Sequence, residues 1–597
     1  MKTTNCRILR IASLLLLALL TACDGGNGGD SKLSLNPPLL GHDPTAGGFP
    51  DLSQIPSNNL QLQSCASTVL SAATNLEGSV SYERRPMAAW SGLTENIEIR
   101  PARGVVVEAV AVKDGLCSQQ VLATTLSDGN GDYGFQIADN IEVCVQVRAQ
   151  LYRSGANGRA GWNVQVTDNT NGNAPYYLLD NFPATASAAP IRNLLADSGW
   201  DGSDYSADRA AAPFAILDSV CEVIDVMVDP LNGLEQNQSL PLLNIRWSVD
   251  NVSVDGDLSL GEIGTAFYRN SFGINELFLR GDKDVNTDEY DPHVIVHELT
   301  HYIARSFLRS DSLGGSHSLA SLLDISMAFE EGWANAFAGI VLDGTMTNGN
   351  EVLFRDSRGT GGFSAGGFLL NSREAFEVPR GWFSEGSVHR LFYDLYDSEN
   401  SLSDRLTLSL PEIYAALKTQ ANSSALISVF NFFEALRNQN PLAIADFSLL
   451  LAAENINGIG DYAEGETNDA GLPDLLPVYT PFDEGQPASL CSSNVSGEIN
   501  RAGNYRYLQF TASMKRDYFF NVETSGVAGE DDGVAVIDIL KNGSFVTDSS
   551  IAARPGDSLE VRYPLSPGDY VLAISHYDNI IPDGDAPGRK CFNISVN

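Results

Sequence analysis

The chain has 597 residues, and its 37 Lys and Arg against 75 Asp and Glu give a formal net charge of −38. That balance excludes nucleic acid or an anionic bilayer surface as the main partner, because each phosphate contact would work against long-range repulsion. The 43% hydrophobic fraction excludes wholesale disorder, and at about 100–200 residues per domain the length points to about three or four domains.

At the start, Lys2, Arg7 and Arg10 flank the short apolar run Ile11 to Leu20, the layout of an export signal over residues 1–22. The run ends in Leu20-Thr21-Ala22-Cys23, which resembles the lipobox of bacterial lipoproteins. That resemblance implies that Cys23 becomes the lipidated, palmitate-bearing first residue of a mature chain held on a membrane outside the cytoplasm. Losing residues 1–22 removes three positive charges and no negative one, so −38 becomes −41. Later in the chain no apolar window reaches the ~18 residues that a spanning helix needs. Residues 23–60, rich in Gly, Pro, Ser and Asn, read as a flexible linker.

Six further cysteines, Cys65, Cys117, Cys144, Cys221, Cys491 and Cys591, show no C-x-x-C spacing and suit disulfides in an oxidising compartment. Cys491 and Cys591 stand alone in the last segment and are expected to pair. The other four allow three connectivities, which the sequence leaves open.

Over residues 61–174 the β-branched runs Val105 to Val112, Val121 to Leu126 and Ile141 to Gln150 predict an all-β module. Asp128, Asn130 and Asp132 alternate as calcium ligands do, but Tyr133 and Asp139 stand where an EF-hand loop needs Gly and Glu. A hairpin turn is expected instead. The run Gly104 to Val110, with Thr124 to Tyr133 after it, resembles the carboxypeptidase regulatory-like β-sandwich, which implies an accessory module.

Residues 175–478 change to helical periodicity, in Asp291 to Leu308, Leu319 to Leu342, Ser387 to Tyr396, Ile413 to Leu417 and Ala425 to Arg437. Before the first of these, the alternating carboxylates from Asp282 to Asp291 make calcium a second candidate ion. Asp291 is expected to cap the helix and Pro292 to open its first turn. His297-Glu298-Leu299-Thr300-His301 then places two imidazoles one turn apart on one face, where both reach a single zinc ion. Glu298 addresses the water of such an ion, as in the H-E-x-x-H arrangement of zinc peptidases.

A third ligand is needed. Ala304 and Phe307 stand where the metzincin extension requires Gly and His. The segment Met327 to Phe337, with Glu330-Glu331-Gly332, resembles the glutamate helix of the thermolysin-like gluzincins. That resemblance implies Glu331 as the third ligand, with Glu330 as the alternative, and Asn335 stands where those enzymes carry Asp. The Gly- and Ser-rich stretch Arg309 to Ser318 reads as a mobile lip, with His317 as a substrate-facing, supporting or plain loop residue. Gly386-Ser387-Val388-His389 resembles the thermolysin-like stretch that supplies an oxyanion-stabilising histidine, which implies that role for His389, with Tyr393 next. An amphipathic core helix is the competing reading.

Residues 479–597 return to strands, Tyr505 to Thr511, Tyr518 to Val522, Val534 to Leu540 and Tyr570 to Ile574. Leu565 to Leu572 resembles the final hairpin of the prepeptidase C-terminal β-sandwich. The expected whole is a multidomain protein, an α+β zincin-like catalytic domain flanked by two all-β sandwich modules. Its expected activity is hydrolysis of peptide bonds in a peptide or protein substrate with a zinc-activated water, on a lipid-anchored chain. A surface adhesion or binding lipoprotein with a silent zincin is the other reading, against which the intact base Glu298 argues.

Overall fold

The computed structural model describes residues 40–42, 73–88, 92–155, 159–229, 232–342, 347–348, 351–358, 364–370, 379–398, 405–493, 498–525, 535–546, 551–553, 559–576, 579 and 589–597. The export signal, Cys23, Cys65 and the expected linker apart from Leu40–His42 lie outside these residues; Leu40–His42 is a short strand paired antiparallel with Ala174–Leu179, where a flexible linker was expected. Among the described residues there are several β-sheets and seven α-helices, and no helix is long and apolar enough to cross a membrane. The chain divides into two compact units, Met1–Tyr302 with Val341–Phe368, and Ile303–Ile340 with Leu369–Asn597.

The first unit is built on a ten-stranded sheet. Its main path runs Phe267–Ser271, Ile274–Leu279, Leu243–Trp247, Trp162–Asp168, Ala174–Leu179, Glu142–Arg153, Val105–Lys113, Leu116–Leu126. Val105, Val106, Val107, Ala109 and Val110 are all buried, so this strand reads as a continuous apolar run rather than an alternating one. Each such Val withdrawn from water contributes about 1.5–3 kcal/mol before entropy is charged. The expected module boundary at 174–175 falls inside this sheet. Trp162–Asp168 pairs antiparallel with Glu142–Arg153 and parallel with Leu243–Trp247.

Helix α1 (Ala212–Val228) packs on this sheet. Its buried residues are mostly apolar, and Asp218, Glu222 and Asp225, spaced i, i+4, i+7, form the less buried polar stripe of an amphipathic helix. The turn at Asp128 also differs from expectation. Its carboxylate accepts from the N–H of Asn130 at 2.8 Å and of Asp132 at 3.0 Å. The strand that follows, Asp132–Ala138, pairs with Ala73–Arg84 instead of folding back as a hairpin. Cys117 and Cys144 form a disulfide, and Cys221 on α1 is a free thiol whose pKa burial pushes up to about 12.

A buried ionic frame leads into α2 (Pro292–Phe307). Arg209 donates to Glu289 at 2.5 Å, and the Trp247 indole donates to the other oxygen of Glu289 at 3.2 Å. Asp291 does not cap α2 with its side chain. One carboxylate oxygen accepts from Ser357 N–H and Oγ at 2.9 and 2.7 Å, and the other has no hydrogen-bond partner among the described residues. The helix starts instead on the Asp291 carbonyl, which accepts from Ile295 N–H at 3.1 Å.

The second unit contains α3 (Ile325–Val341), α4 (Glu385–Tyr396), α5 (Leu410–Gln420), α6 (Val429–Gln439) and α7 (Ile444–Ala453). Their starts are written in polar side chains. Asp324 accepts from Ser326 N–H at 3.2 Å ahead of α3, Ser384 caps α4, and Ser409 with Glu412 forms a capping box on α5. At Gly332, α3 meets α4 so closely that an added Cβ would lie 2.4 Å from Val388 Cβ.

The same unit ends in a sandwich. A six-stranded sheet runs Tyr479–Phe482, Arg506–Ala512, Gly568–His576, Ala535–Lys541, Ser544–Phe545, with Ile551–Ala553 beside Ala535–Lys541. A four-stranded sheet runs Ala488–Cys491, Cys591–Val596, Arg516–Ser525, Leu559–Leu565. Leu508, Phe510, Phe520, Leu572 and Phe592 belong to one buried core, as inward-facing residues of two packed sheets should. Cys491 and Cys591 face each other across an antiparallel pair and are disulfide-bonded, the pairing expected from their position in the chain.

Candidate metal centre

On α2, Val294, Ile295, Val296, Leu299 and Tyr302 are buried, and the Tyr302 hydroxyl donates to the Pro241 carbonyl at 2.5 Å. This fixes the helix face that carries His297 and His301. Their Nε2 atoms are 3.2 Å apart, with the rings 78° from coplanar. A tetrahedral ion with bonds of about 2.0–2.1 Å sets its ligand atoms about 3.3–3.4 Å apart. The two imidazoles therefore stand at the spacing of one edge of such a site. Glu298, between them in sequence, is only 8% exposed.

One turn earlier, His293 is fully buried against Phe354, and burial pulls its pKa down to about 3. It is a neutral core imidazole. Below it, Asp288, Asp291 and Asp356 bring carboxylate oxygens within 4.8 Å of one another. Burial raises the pKa of Asp288, and that of Asp291 well above its ordinary value. The positive charge at this group comes from Arg280, whose Nε lies 3.4 Å from Asp288 and whose Nη2 lies 4.0 Å from Asp356. Of the alternating run before α2, Asp282 uses an oxygen to accept from Asp284 N–H at 2.9 Å.

On α3, adjacent Glu330 and Glu331 point to different partners. Glu330 accepts from Ser310 Oγ, Asp311 N–H and Ser312 N–H at 2.7, 2.7 and 2.9 Å. It is committed to the loop at 309–318. Glu331, 4% exposed, instead meets His317, whose Nε2 lies 3.2 Å from its Oε2 and 3.3 Å from Glu385 Oε2. Burial pulls the His317 pKa down, but the carboxylates of Glu331 and Glu385 outweigh it and push it up to about 10.

The loop expected to be a mobile lip is clamped. Arg309 donates to the Ser423 and Ala425 carbonyls at 2.6 and 2.9 Å, and Asp311 accepts from Ile427 N–H at 2.9 Å. Asn500 Nδ2 donates to the Gly314 and Ser316 carbonyls, each at 3.0 Å.

On α4, His389 and Tyr393 are both buried. Burial, helped by neighbouring Arg390, holds the His389 pKa well below its ordinary value, so it stays neutral. Tyr393 lies against α3 near Gly339, where an added Cβ would stand 3.5 Å from its ring. Arg390 donates to Glu454 at 3.1 and 2.8 Å, and the Ser387 hydroxyl donates to the same carboxylate at 2.8 Å. His317 stands out in the sequence, but Glu385 and Asn500 do not: Glu385 merely precedes the stretch Gly386 to His389, and Asn500 carries no signal at all.

No family model and no curated protein matches the chain. Among solved structures, the pre-peptidase C-terminal domain of collagenase from Bacillus anthracis is 14% identical, over 20% of this chain and 94% of that one, with a TM-score of 0.14. PliG of Aeromonas hydrophila, a periplasmic inhibitor of g-type lysozyme, is 16% identical, over 20% and 97%, with a TM-score of 0.13. CorA of Methylomicrobium album, a surface-associated copper-binding protein, is 11% identical, over 20% and 96%, with a TM-score of 0.15. These likenesses are too slight to carry an argument.

Proposed function

We propose that the chain is a zinc-dependent peptidase with a zincin-like catalytic region, exported and lipid-anchored through Cys23. Zinc would be held by His297, His301 and Glu331, a donor set of two imidazoles and one carboxylate. The observation that carries the reading is the 3.2 Å separation of the two Nε2 atoms on one buried helix, with Glu298 next to the first of them. Glu331 is preferred to Glu330 because the latter spends its oxygens on the loop at 310–312. Two disulfides support folding in an oxidising compartment.

When bound, zinc supplies Lewis acidity toward the scissile carbonyl and acidifies a water. Glu298 takes a proton from the attacking water on a carboxylate oxygen and delivers it to the leaving amine nitrogen. His389, held neutral, or Tyr393 would donate a hydrogen bond to the developing oxyanion. The test is metal analysis and a peptide-library cleavage assay of the wild type beside Glu298→Gln. Loss of the general base is expected to lower kcat by about 10²–10⁴-fold with zinc content unchanged. Cleavage persisting at the wild-type rate would refute the assignment.

A further inference from the structure

His317 is exposed in part, with 25% of its side chain open to solvent, yet both of its ring nitrogens are engaged. Nδ1 lies 3.2 Å from the Gly315 carbonyl. A carbonyl only accepts, so Nδ1 carries a proton. Nε2 faces two carboxylate oxygens, Glu331 at 3.2 Å and Glu385 at 3.3 Å, so it is a donor as well. The ring thus stands between the proposed zinc ligand on α3 and a carboxylate on α4, fixed in orientation from behind.

Gly314 and Gly315 take φ of +64° and +96°, a region open mainly to glycine, and their shape is held from outside. Asn500, buried in the connection between the sandwich strands Ala488–Cys491 and Arg506–Ala512, donates one side-chain N–H to the carbonyl on each side of Gly315, those of Gly314 and Ser316. Arg501 Nη1 adds a third bond to the Ser316 carbonyl at 3.1 Å. The Asn500 backbone carbonyl in turn accepts from Asp324 N–H at 2.8 Å, next to the start of α3. Sandwich, loop and ligand-bearing helix form one hydrogen-bonded chain within this unit.

We propose that His317 is a positioning residue that holds the Glu331 carboxylate in its ligand orientation, and that Asn500 sets His317 by clamping the loop that carries it. The proposal rests on Glu331 being a zinc ligand. Groups that orient a metal ligand from behind govern affinity: their loss costs about 10–100-fold in metal affinity or activity. Asn500 acts only through His317, so the two residues are predicted to be coupled rather than additive.

The experiment measures zinc affinity of the full chain by competition with a chelator, for the wild type, His317→Ala, His317→Gln, Asn500→Ala and the Asn500→Ala/His317→Ala double variant. His317→Ala is expected to weaken zinc at least about tenfold with one ion still bound. His317→Gln, which keeps an N–H donor, should lie nearer the wild type. The double variant should bind no more weakly than His317→Ala alone. A smaller loss in His317→Ala, full additivity with Asn500→Ala, or a wild type that binds two ions and loses one in His317→Ala each overturns the proposal. His317 lies on a surface loop, so its variants fold even where Asn500→Ala does not. Zinc retained in His297→Ala marks the separate failure of the zinc site itself, and takes this proposal with it.

Discussion

Gly332→Ala adds one methyl group at the crossing of α3 and α4, directly after Glu331. The new Cβ would lie 2.4 Å from Val388 Cβ, 2.5 Å from its Cγ1 and 2.9 Å from the Glu385 carbonyl oxygen. Carbon atoms pack at about 3.5–4.0 Å, so the helices must separate by about an ångström. Val388 cannot yield by rotation, because its Cβ does not move with χ1 and its β-branch holds one rotamer in a helix. Ala gains about 0.8–1.0 kcal/mol over Gly in a helix interior, against about 1–3 kcal/mol for overpacking. The clash meets backbone and an immobile Cβ, so the upper part of that range applies and the net is a loss of about 1–2 kcal/mol. The shift also draws Glu385 from His317, so the variant should bind zinc more weakly. Urea denaturation should show a lower midpoint at unchanged slope, with zinc titrated in parallel. A variant as stable as the wild type or more so would refute the close approach of α3 and α4.

Two further outcomes test the energetics. Burial raises the Asp324 carboxyl from its ordinary 3.8 to about 6; its contribution is full below pH 3.8 and lost as pH rises through 6, a fall of about 3 kcal/mol at ~1.36 kcal/mol per pH unit. Asp324→Asn, which keeps an oxygen for Ser326 N–H, should flatten that fall in denaturation midpoints compared at pH 4 and pH 8, and an unchanged slope would refute burial as its cause. The disulfides close separations of 27 and 100 residues, for which chain entropy gives about 3.6 and about 4.7 kcal/mol. Replacing Cys491 and Cys591 by Ser should therefore destabilise more than replacing Cys117 and Cys144, and the reverse order would refute that account.

What the sequence carried locally, it carried well. The H-E-x-x-H run needs only five residues and a helical period, and α2 sets its two imidazoles side by side. Strands such as Val105–Lys113 and Arg516–Ser525 fell within a few residues of their expected bounds because β-branched runs ended at turn residues. Helix α1 was legible too, since Asp218, Glu222 and Asp225 recur at helical spacing beside buried apolar residues, although it is not among the expected helices. Contacts made far along the chain were invisible, as Asp291 shows. Its sequence position suits a cap, but Ser357, 66 residues on, takes its carboxylate. Asn500 is further still from its partner, 186 residues from Gly314. No local pattern can announce a contact that only the tertiary fold creates.

The same long-range contacts bear on what the C-terminal sandwich is for. Its Tyr507 hydroxyl donates to Asp324 at 2.6 Å, and the other oxygen of Asp324 accepts from Ser326 N–H at the start of α3. Ala502 N–H donates to the Leu322 carbonyl at 2.9 Å, and Leu323 bridges to Arg501. The sandwich therefore fixes both the N-terminus of the helix that carries Glu331 and the loop that carries His317. Tyr507 and Asp324 are buried, where a hydrogen bond to a charged group contributes about 1.5–3 kcal/mol. A tether joined by a linker would leave the capping of α3 to the helix's own sequence. This cap is supplied in part by residues 500–507, so the geometry around Glu331 depends on the folded sandwich as well as on α3.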